Sequence, residues 1–474
     1  MLYNNNLSDT IVALATPPGI GAIGVIRLSG TKAISICNQF FPAKNLSKQS
    51  SHTIHYGTIR NEKNNVIDEV LVSIFKNPTS YTGEDVIEIS CHGSQYIHQQ
   101  VIELFIRNGA RMASRGEFTL RAFLNGKMDL SQAEAVADLI SSDSSASHEI
   151  AMKQMRGGFS QEIQKLREEL INFASLIELE LDFGEEDVEF ANRDDLRTLV
   201  SKIQDLITRL IQSFQLGNVI KNGVTTVIAG RPNAGKSTLL NALLNEERAI
   251  VSDIAGTTRD TIEEVLNING IQFRLVDTAG IREATDQIEA IGVQKAYEQI
   301  RKSSILVYLY DAMTLEIPDV IADLEELHQE GLTTIVIGNK MDIVSSPDNS
   351  YQQKNIGKGW DKLIEPYKEK HHFLYISAKE NGKIQEVKES LYKAVMDGNL
   401  SMDDTIVTNA RHFQALSKAN QSLSEVMNGL DIGITGDFLA QDIRHSLSYL
   451  GEITGEIATD DLLDKIFRDF CIGK

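Results

Sequence analysis

The sequence predicts a multidomain protein of the α/β plus α class, in which an α/β unit is inserted in a discontinuous helical domain behind an N-terminal α+β domain. Three observations predict this fold. Short β-branched runs fill roughly the first 120 residues, long helical periods begin near residue 130, and continuous apolar strands follow from about residue 221. The helical period returns near residue 382, although two separate bundles would give the same pattern. The predicted segments are 1–122, 123–220, 221–381 and 382–474.

Composition narrows the class of protein. The 474 residues are 42% hydrophobic and 24% charged, which is ordinary for a globular protein of several domains. The net charge of −20 argues against binding nucleic acid over the whole surface. No window approaches about eighteen consecutive apolar residues and the start lacks a basic-then-apolar signal, so we expect a cytoplasmic protein without a membrane segment. Three cysteines, Cys37, Cys91 and Cys471, are too few and scattered for a disulfide framework.

The stretch "GIGAIG", Gly19 to Gly24, has the G-x-G-x-x-G spacing of dinucleotide-binding folds. That fingerprint requires a helix to begin at its last glycine, so that the helix N-terminus faces the pyrophosphate. Here "TIVALAT" precedes it and "VIRLSG" follows, and both are β-branched runs. The pattern therefore predicts a strand–loop–strand and argues against an oxidoreductase.

A basic stretch runs from Arg107 to Lys127 and includes Arg111, Arg115 and Arg121 with a single acid. A contact with nucleic acid is one interpretation of such a cluster. Solvated surface charge is the favoured one.

Helical periodicity identifies the core-facing residues of two long helices. The first runs through "QEIQKLREELINFASLIELELDF" and the second through "LRTLVSKIQDLITRLIQSFQL". Their predicted apolar faces are Ile163, Leu166, Leu170, Ala174, Ile177 and Leu181 in the first and Leu199, Ile203, Leu206, Leu210 and Phe214 in the second. The later runs "VTTVIAG", "FRLVDTAG", "SILVYLYD", "TTIVIGNK" and "HHFLYISAK" predict a parallel sheet covered on both faces. A shorter helix is predicted near residues 95–108.

A nucleotide site is predicted where the strand "VTTVIAG" meets "GRPNAGKST". Gly230 to Ser237 satisfies G-x-x-x-x-G-K-[ST], with a strand before it and a helix after it. Backbone N–H groups of such a loop bind phosphates, Lys236 reaches the β and γ oxygens, and the hydroxyl of Ser237 binds Mg²⁺.

Three further motifs follow in the order expected of a GTP-binding protein. "GTTRD" supplies Thr258 for the Mg²⁺ shell, and "DTAG" supplies Asp277 and the N–H of Gly280. "NKMD" supplies Asn339 and Asp342, whose carboxylate accepts two N–H groups from guanine but finds no such pair on adenine. The predicted GTP-binding residues are Asn233, Ala234, Gly235, Lys236, Ser237, Thr238, Ser252, Asp253, Ile254, Ala255, Gly256, Thr257, Thr258, Asp277, Thr278, Ala279, Gly280, Asn339, Lys340, Asp342, Ser377, Ala378 and Lys379.

The group that acts on the attacking water is left open by these motifs. Small switch GTPases place a glutamine directly after "DTAG", but here Ile281 stands there. Polar candidates downstream are Glu283, Asp286 and Glu289, and the candidate arginine fingers are Arg259 and Arg282. A monovalent cation held by Asn233 and the carbonyls of "SDIAGTT" is the alternative source of positive charge.

Over its full length the chain resembles the MnmE (TrmE) family of tRNA-modification GTPases. The resemblance rests on "ATPPGIGAIGVIRLSG", "YTGEDVIEISCHG", "RGEFTLRAFLNGKMDLSQAEA", "GRPNAGKS", "DIAGTTRD", "DTAGIRE" and "FCIGK". It implies potassium-dependent GTP hydrolysis by a homodimer, with Glu289 acting on the attacking water. It also implies K⁺ ligands at Asn233, Ser252, Ile254 and Thr257, where Ser252 replaces the usual threonine but offers an equivalent carbonyl.

The same resemblance implies that the N-terminal domain dimerises and binds formyl-tetrahydrofolate as a one-carbon donor. The matching positions are Arg27, Glu88, Lys127 and Lys474, and the glycines of "GIGAIG" become turn and close-approach residues beside that pocket. Cys471 is placed near the centre of the complex. His92 beside Cys91 is a weak metal signal, and Ser94 stands where the family usually has glycine.

The function that the resemblance implies is the addition of a carboxymethylaminomethyl group to the wobble uridine of certain tRNAs. The implied partners are tRNA and the FAD-dependent protein MnmG (GidA), which would form a heterotetramer with the homodimer. Two rival interpretations are a regulatory GTPase switch and a folate-binding scaffold that barely hydrolyses GTP.

Overall fold

The chain divides into two compact units in a computed structural model. The structure describes residues 9–182, 192–245, 263–277, 299–301, 303–329, 331–344, 371–396, 405–468 and 470–474. The first unit comprises Met1–Ser141, Ala151–Ile207 and Gln414–Lys474, and the second comprises Ser142–Ile150 and Thr208–Phe413. The first unit is thus discontinuous in sequence.

The order of the elements follows the prediction: mainly short strands come first, long helices follow, and strands then alternate with helices before the last helices. The strands are β1 Thr10–Leu14, β2 Ile23–Ser29, β3 Thr53–Arg60, β4 Val66–Phe75, β5 Val86–His92, β6 Ala110–Met112, β7 Val224–Ala229, β8 Glu263–Ile268, β9 Ile271–Asp277, β10 Ile305–Asp311, β11 Thr333–Asn339 and β12 His371–Tyr375. The helices are α1 Ala33–Phe40, α2 Gln95–Arg107, α3 Glu117–Leu124, α4 Leu130–Ser141, α5 Ser145–Met155, α6 Gly158–Asp182, α7 Arg193–Asn222, α8 Lys236–Asn245, α9 Ile317–Leu327, α10 Met341–Val344, α11 Ile384–Met396, α12 Ala410–Ile432, α13 Gly436–Thr454 and α14 Asp460–Arg468, with one 3-10 turn at Leu46–Lys48.

The sheet of the first unit has six strands in the order β3-β4-β5-β2-β1-β6. Strand β6 is parallel to β1 and the other neighbours are antiparallel. Alternation along the strands buries one face under α1 and α2, with Val72, Ile89 and Phe105 in the core. The other face exposes Ile54 and Tyr56. The predicted α+β domain and its helix near residues 95–108 are confirmed.

The "GIGAIG" segment connects two antiparallel strands, so the prediction of strand–loop–strand is confirmed. Its glycines permit close packing. A Cβ on Gly24 would lie 2.0 Å from Nε2 of His98, and a Cβ on Gly93 would lie 2.2 Å from the carbonyl oxygen of Gly21. The backbones of Gly21 and Gly93 are joined by a hydrogen bond of 3.0 Å.

The interpretation of the basic stretch as solvated charge is wrong for two of its arginines. Arg121 is 2% exposed and binds Asp9, Glu84 and Glu117. Arg111 binds Asp9 at 2.7 Å and Glu117 at 2.6 Å. The sequence could not reveal the pairs with Asp9, because Arg111 lies 102 residues away from it along the chain. This group of Asp9, Glu84, Arg111, Glu117 and Arg121 is called the α3 ion network below.

Helices from both sides of the α/β unit pack together, which confirms the discontinuous helical domain. Helices α6 and α13 are neighbours along their length, and Arg444 on α13 binds Glu178 on α6. Phe467 of α14 packs with Leu120 of α3 and Leu130 of α4.

The predicted apolar face of α6 is confirmed from Ile163 to Ile177, and the burial of Leu181 lies outside what the structure describes. On α7 the predicted Ile203 and Leu210 are buried, whereas the rest of the face differs from the prediction. The buried apolar residues of α7 are Leu196, Val200, Ile203, Ile207, Leu210, Leu216 and Ile220. The predicted Leu199, Leu206 and Phe214 are half-buried at the edge of this face. Adjacent apolar residues such as Leu199 and Val200, or Leu206 and Ile207, fit the same helical period, so sequence spacing alone cannot decide which of them is buried.

The sheet of the second unit has the strand order β12-β11-β10-β7-β9-β8. The five predicted strands are all parallel, as expected. Strand β8 was not predicted, and it pairs antiparallel to β9. The connection between them is Asn269–Gly270, both at positive φ (51° and 85°), and Asn-Gly is the strongest short hairpin signal in a sequence.

Candidate functional site

The loop from Gly230 to Gly235 joins the end of β7 to the start of α8, which confirms the predicted strand–loop–helix arrangement. Gly230, Asn233 and Gly235 have φ values of +153°, +62° and +97°. A Cβ on Gly230 would lie 2.0 Å from the carbonyl oxygen of Leu309, and one on Gly235 would lie 2.3 Å from Nδ2 of Asn339. Only glycine fits at these two positions, so the loop wraps closely around the helix N-terminus that binds anions.

Lys236 lies within this loop rather than pointing into solvent. Its ammonium donates to the carbonyl oxygens of Gly230 at 2.9 Å and Arg231 at 3.2 Å, and the residue is 8% exposed. Ser237 and Thr238 on the first turn of α8 are exposed, as is Asn233. The arrangement gives a fixed positive charge beside free hydroxyl groups, which is what a phosphate with its Mg²⁺ requires.

The predicted base-binding residues come together at the ends of β11 and β12. The amide of Asn339 donates to the carbonyl oxygen of Ala234 at 2.8 Å and accepts from the N–H of Ala378 at 2.9 Å. Asn339 thus joins the loop of residues 230–235, called the phosphate loop below, to the loop of Ser377, Ala378 and Lys379, called the "SAK" loop. Lys340 has φ of +72° and its ammonium binds Asp311 at 2.7 Å. Asp311 was not predicted from the sequence, because a lone aspartate at the end of a strand belongs to no recognisable motif.

Many predicted residues lie outside the described residues. Strand β9 ends at Asp277, beside Ile228 of β7, so Asp277 lies at the edge where the phosphate loop begins. The residues not described are Ser252, Asp253, Ile254, Ala255, Gly256, Thr257, Thr258, Arg259, Thr278, Ala279, Gly280, Ile281, Arg282, Glu283, Asp286 and Glu289. Their predicted roles stay predictions.

Three of the four predicted folate-contacting residues meet in the first unit. Arg27 on β2 lies opposite Glu88 on β5, and its Nε donates to Oε1 of Glu88 at 2.8 Å. Its Nη1 donates to the carbonyl oxygen of Gly473 at 3.2 Å. The pKa of Lys474 is lowered by burial first and by the charge of Arg27 second, with Glu88 acting in the opposite direction. A partly desolvated ammonium therefore lies close to this pair.

Two aromatic rings that the sequence did not single out enclose Arg27. Its guanidinium carbon lies 5.3 Å from the ring centre of Tyr81 and 5.6 Å from that of Phe118. Tyr81 begins the "YTGED" motif, which was the available signal. Lys127 is held elsewhere, on the carbonyl oxygen of Pro78 at 3.1 Å. The loop from Pro78 to Tyr81 links the two places.

The remaining predicted features lie in the first unit. Nδ1 of His92 binds Oδ1 of Asp68 at 2.8 Å, and among the described residues no three metal-binding side chains are grouped. Ser94 precedes α2 with φ of −100°, so a side chain is tolerated there without strain. Cys471 is exposed, whereas Cys37 and Cys91 are buried.

Comparison with known proteins extends over the whole chain. The family description "MnmE helical domain" matches residues 130–471, and "GTP-binding protein TrmE N-terminus" matches residues 10–127. The tRNA modification GTPase MnmE of Cytophaga hutchinsonii is 56% identical over 99% of this chain and 98% of its own length. The chain belongs to the MnmE family of tRNA modification GTPases.

Other MnmE proteins agree with this assignment. That of Christiangramia forsetii is 55% identical over 99% of this chain and all of its own length, and that of Flavobacterium johnsoniae is 54% identical over 98% and 99%. Membership confirms the family predicted from the motifs, and with it a GTPase of the α/β plus α class. Within the described helices, none is long and apolar enough to cross a membrane.

Proposed function

We propose that the chain hydrolyses GTP, with Mg²⁺ and K⁺, to drive the addition of a carboxymethylaminomethyl group to the wobble uridine of certain tRNAs. The observation that carries the proposal is the Asn339 bridge between the phosphate loop and the "SAK" loop, in a chain of the MnmE family. This bridge supports the proposal because it joins the loop proposed to bind the phosphates to the loop proposed to bind guanine. The proposed partner is an FAD-dependent MnmG protein, and the proposed location is the cytoplasm.

The metal ions are proposed from the donor types in the loop. Ser237 and Thr258 offer the hydroxyl oxygens that Mg²⁺ prefers, and Ser237 is exposed at the first turn of α8. Asn233 has a left-handed backbone that places it at the outer turn of the loop. We propose it as a K⁺ ligand, together with the carbonyls of Ser252, Ile254 and Thr257.

Formyl-tetrahydrofolate is proposed as the one-carbon donor held at Arg27, Glu88 and Lys474, with Lys127 at the far side of the Pro78–Tyr81 loop. The partly buried ammonium of Lys474 suits a carboxylate of the glutamyl group. Glu88 is suited to the donor edge of a pterin, and Arg27 fixes its orientation by the 2.8 Å bond. Tyr81 and Phe118 supply an aromatic setting for a flat ring.

A homodimer through the first unit is part of the proposal. The sheet face opposite α1 and α2 exposes Ile54, Tyr56 and Leu71. Exposed apolar side chains grouped on one sheet face are typical of a protein–protein contact. We propose that two chains pair there and bind two MnmG subunits as a heterotetramer.

The experiment that tests the enzyme proposal is GTP hydrolysis by the purified chain in potassium chloride and in sodium chloride at matched ionic strength. Fast turnover in potassium alone is expected. Equally slow turnover in both salts would contradict the potassium site and favour the regulatory switch. Glu289→Ala is expected to abolish turnover while GTP binding remains, and surviving turnover would remove Glu289 from the mechanism.

The folate site is tested separately by equilibrium binding of formyl-tetrahydrofolate. Arg27→Ala should weaken binding because Glu88 and the Gly473 segment both lose their anchor. Arg107→Ala, on the exposed face of α2, is the matched control and should bind as the unaltered chain does. A chain without measurable folate affinity would overturn this part of the proposal and leave the GTPase part intact.

A further inference from the structure

The phosphate loop carries an arginine whose side chain is bound away from the loop. Nε of Arg231 donates to Oδ2 of Asp323 at 2.9 Å, and its Nη2 donates to Oδ1 at 3.0 Å. Asp323 lies on α9, and Asp319 of the same helix is 3.8 Å from Nη2. The geometry is the two-pronged arginine–carboxylate pair, which is stronger and more directional than a single contact.

Asp323 is in turn fixed to the sheet. The hydroxyl of Tyr308 on β10 donates to Oδ2 of Asp323, and Tyr308 is fully buried with Val320 and Leu324 of α9. Burial, together with the bond to Asp323, raises the pKa of Tyr308, so the tyrosine remains a neutral donor at all ordinary pH values. Arg231 is therefore connected to the packed core, because its partner Asp323 is itself bound by the buried Tyr308.

The backbone carbonyl of Arg231 also accepts hydrogen bonds within the phosphate loop. Its carbonyl oxygen accepts from the ammonium of Lys236 at 3.2 Å and from the N–H of Ala234 at 3.4 Å. Its neighbours toward Asn233 are exposed, and the turn requires the positive φ of Asn233. The C-terminal part of the loop, at Ala234, is held by Asn339. The N-terminal part, at Arg231, is held by the pair with Asp323.

We propose that Arg231 and Asp323 are positioning residues that hold the phosphate loop in its nucleotide-binding shape before GTP arrives. Nε and Nη2 of Arg231 both donate to the carboxylate of Asp323, and this carboxylate neutralises the positive charge of the guanidinium. The pair thereby lowers the ordering cost of binding, since a preformed loop loses less freedom than a loose one. This inference goes beyond the proposed function and depends only on the guanine-nucleotide site.

The test is a double-mutant cycle on the full chain, with the Kd for GDP and GTP measured by a fluorescent nucleotide. Arg231→Ala and Asp323→Ala should each raise both Kd values about fivefold, the equivalent of about 1 kcal/mol. The double variant should also lie near fivefold, because the Arg231–Asp323 pair is already lost in each single variant, rather than near the 25-fold or so of independent effects. In turnover, the KM for GTP should rise while kcat stays within about twofold, since every nucleotide state uses the same loop.

Two further variants separate positioning from simple loss of stability or charge. Arg231→Lys keeps the charge but cannot bind both oxygens, so its affinity should fall below that of the unaltered chain. Arg444→Ala removes a comparably exposed pair with Glu178 in the first unit and should leave nucleotide binding unchanged. The proposal is overturned by unaltered affinity in both single variants, by additive effects, by full rescue with lysine, or by a fall in kcat at constant affinity.

Discussion

The hydroxyl of Ser377 donates to Oδ1 of Asp342 over 2.7 Å, although Asp342 lies on α10 and Ser377 on the loop after β12. Ser377 is buried, and its backbone pairs with Gly382 through hydrogen bonds of 3.1 and 2.9 Å. The carboxylate of Asp342 is therefore held in one orientation by a loop that is itself closed. A carboxylate fixed in this way can select a base by its pair of donors.

Asp342→Asn is expected to weaken GTP binding by about 100-fold, because the new NH₂ group faces the donor edge of guanine and leaves buried donors unpaired. The same variant should gain affinity for xanthosine triphosphate, whose C2 carbonyl accepts that NH₂. Competition binding measures both. Glu380→Gln, at an exposed position of the loop that holds Ser377, is the control, and unchanged GTP affinity in Asp342→Asn would refute the role of Asp342.

Gly235→Ala is expected to abolish nucleotide binding. The residue has φ of +97°, and a Cβ would lie 2.3 Å from Nδ2 of Asn339, so the Asn339 bridge must break. Gly331→Ala is the matched control, because φ is +82° there but nothing lies within 4 Å of the added carbon. Isothermal titration calorimetry with GDP should show binding in Gly331→Ala and none in Gly235→Ala. Equal losses of affinity would show that backbone strain, and not the contact with Asn339, causes the effect.

The α3 ion network gives stability that depends on pH. Burial raises the pKa of Asp9 and of Glu117, but the bonds to Arg111 and Arg121 outweigh it, so both values lie below the ordinary 3.8 and 4.5. The unfolded chain thus binds more protons near these values, and the contribution is present at neutral pH and lost as pH falls through them.

Arg111→Met should therefore lower the free energy of unfolding at neutral pH by about 2 kcal/mol and flatten its decline toward pH 3 or so. Urea unfolding at several pH values measures this. Arg107→Met, which removes an exposed pair with Glu103 in the same basic stretch, should change stability by less than about 0.5 kcal/mol. Equal effects of the two variants would contradict the structural role of the network.

Cysteine reactivity should differ sharply along the chain. Burial raises the pKa of Cys37 to about 12 and that of Cys91 to about 11, whereas Cys471 is exposed. Because the thiolate is the nucleophile, alkylation of the folded protein near pH 8 should modify one thiol per chain, at Cys471. Peptide mass spectrometry identifies the site, and labelling of Cys37 before unfolding would contradict the burial.

Local patterns predicted most of the fold because they depend on neighbouring residues. The β-branched run after "GIGAIG" predicted β2, and the apolar runs predicted five parallel strands. The hairpin at Asn269–Gly270 carried a signal of the same kind and was overlooked. The phase of α7 was missed because Leu199 and Val200 both continue an apolar series, and only packing decides which is buried.

Side-chain partners could not be predicted where the chain brings distant residues together. Arg111 looked like surface charge, since Asp9 becomes its partner only after β1 and β6 pair. Arg231 has no role in the motifs of the sequence, and only α9 shows that its charge is paired with Asp323. The nucleotide motifs were recognisable because their chemistry is carried by backbone shape and consecutive residues.

The packing of Phe467 and Phe470 against Leu120 and Leu130 sets a delay during synthesis. About 350 residues separate the two partners, which at about 5–20 residues per second takes roughly 20–70 s. Throughout that interval the apolar sides of α3 and α4 have emerged from the ribosome without the residues that cover them. The apolar side chains of Leu120 and Leu130 therefore stay without their final cover until the last residues of the chain are made.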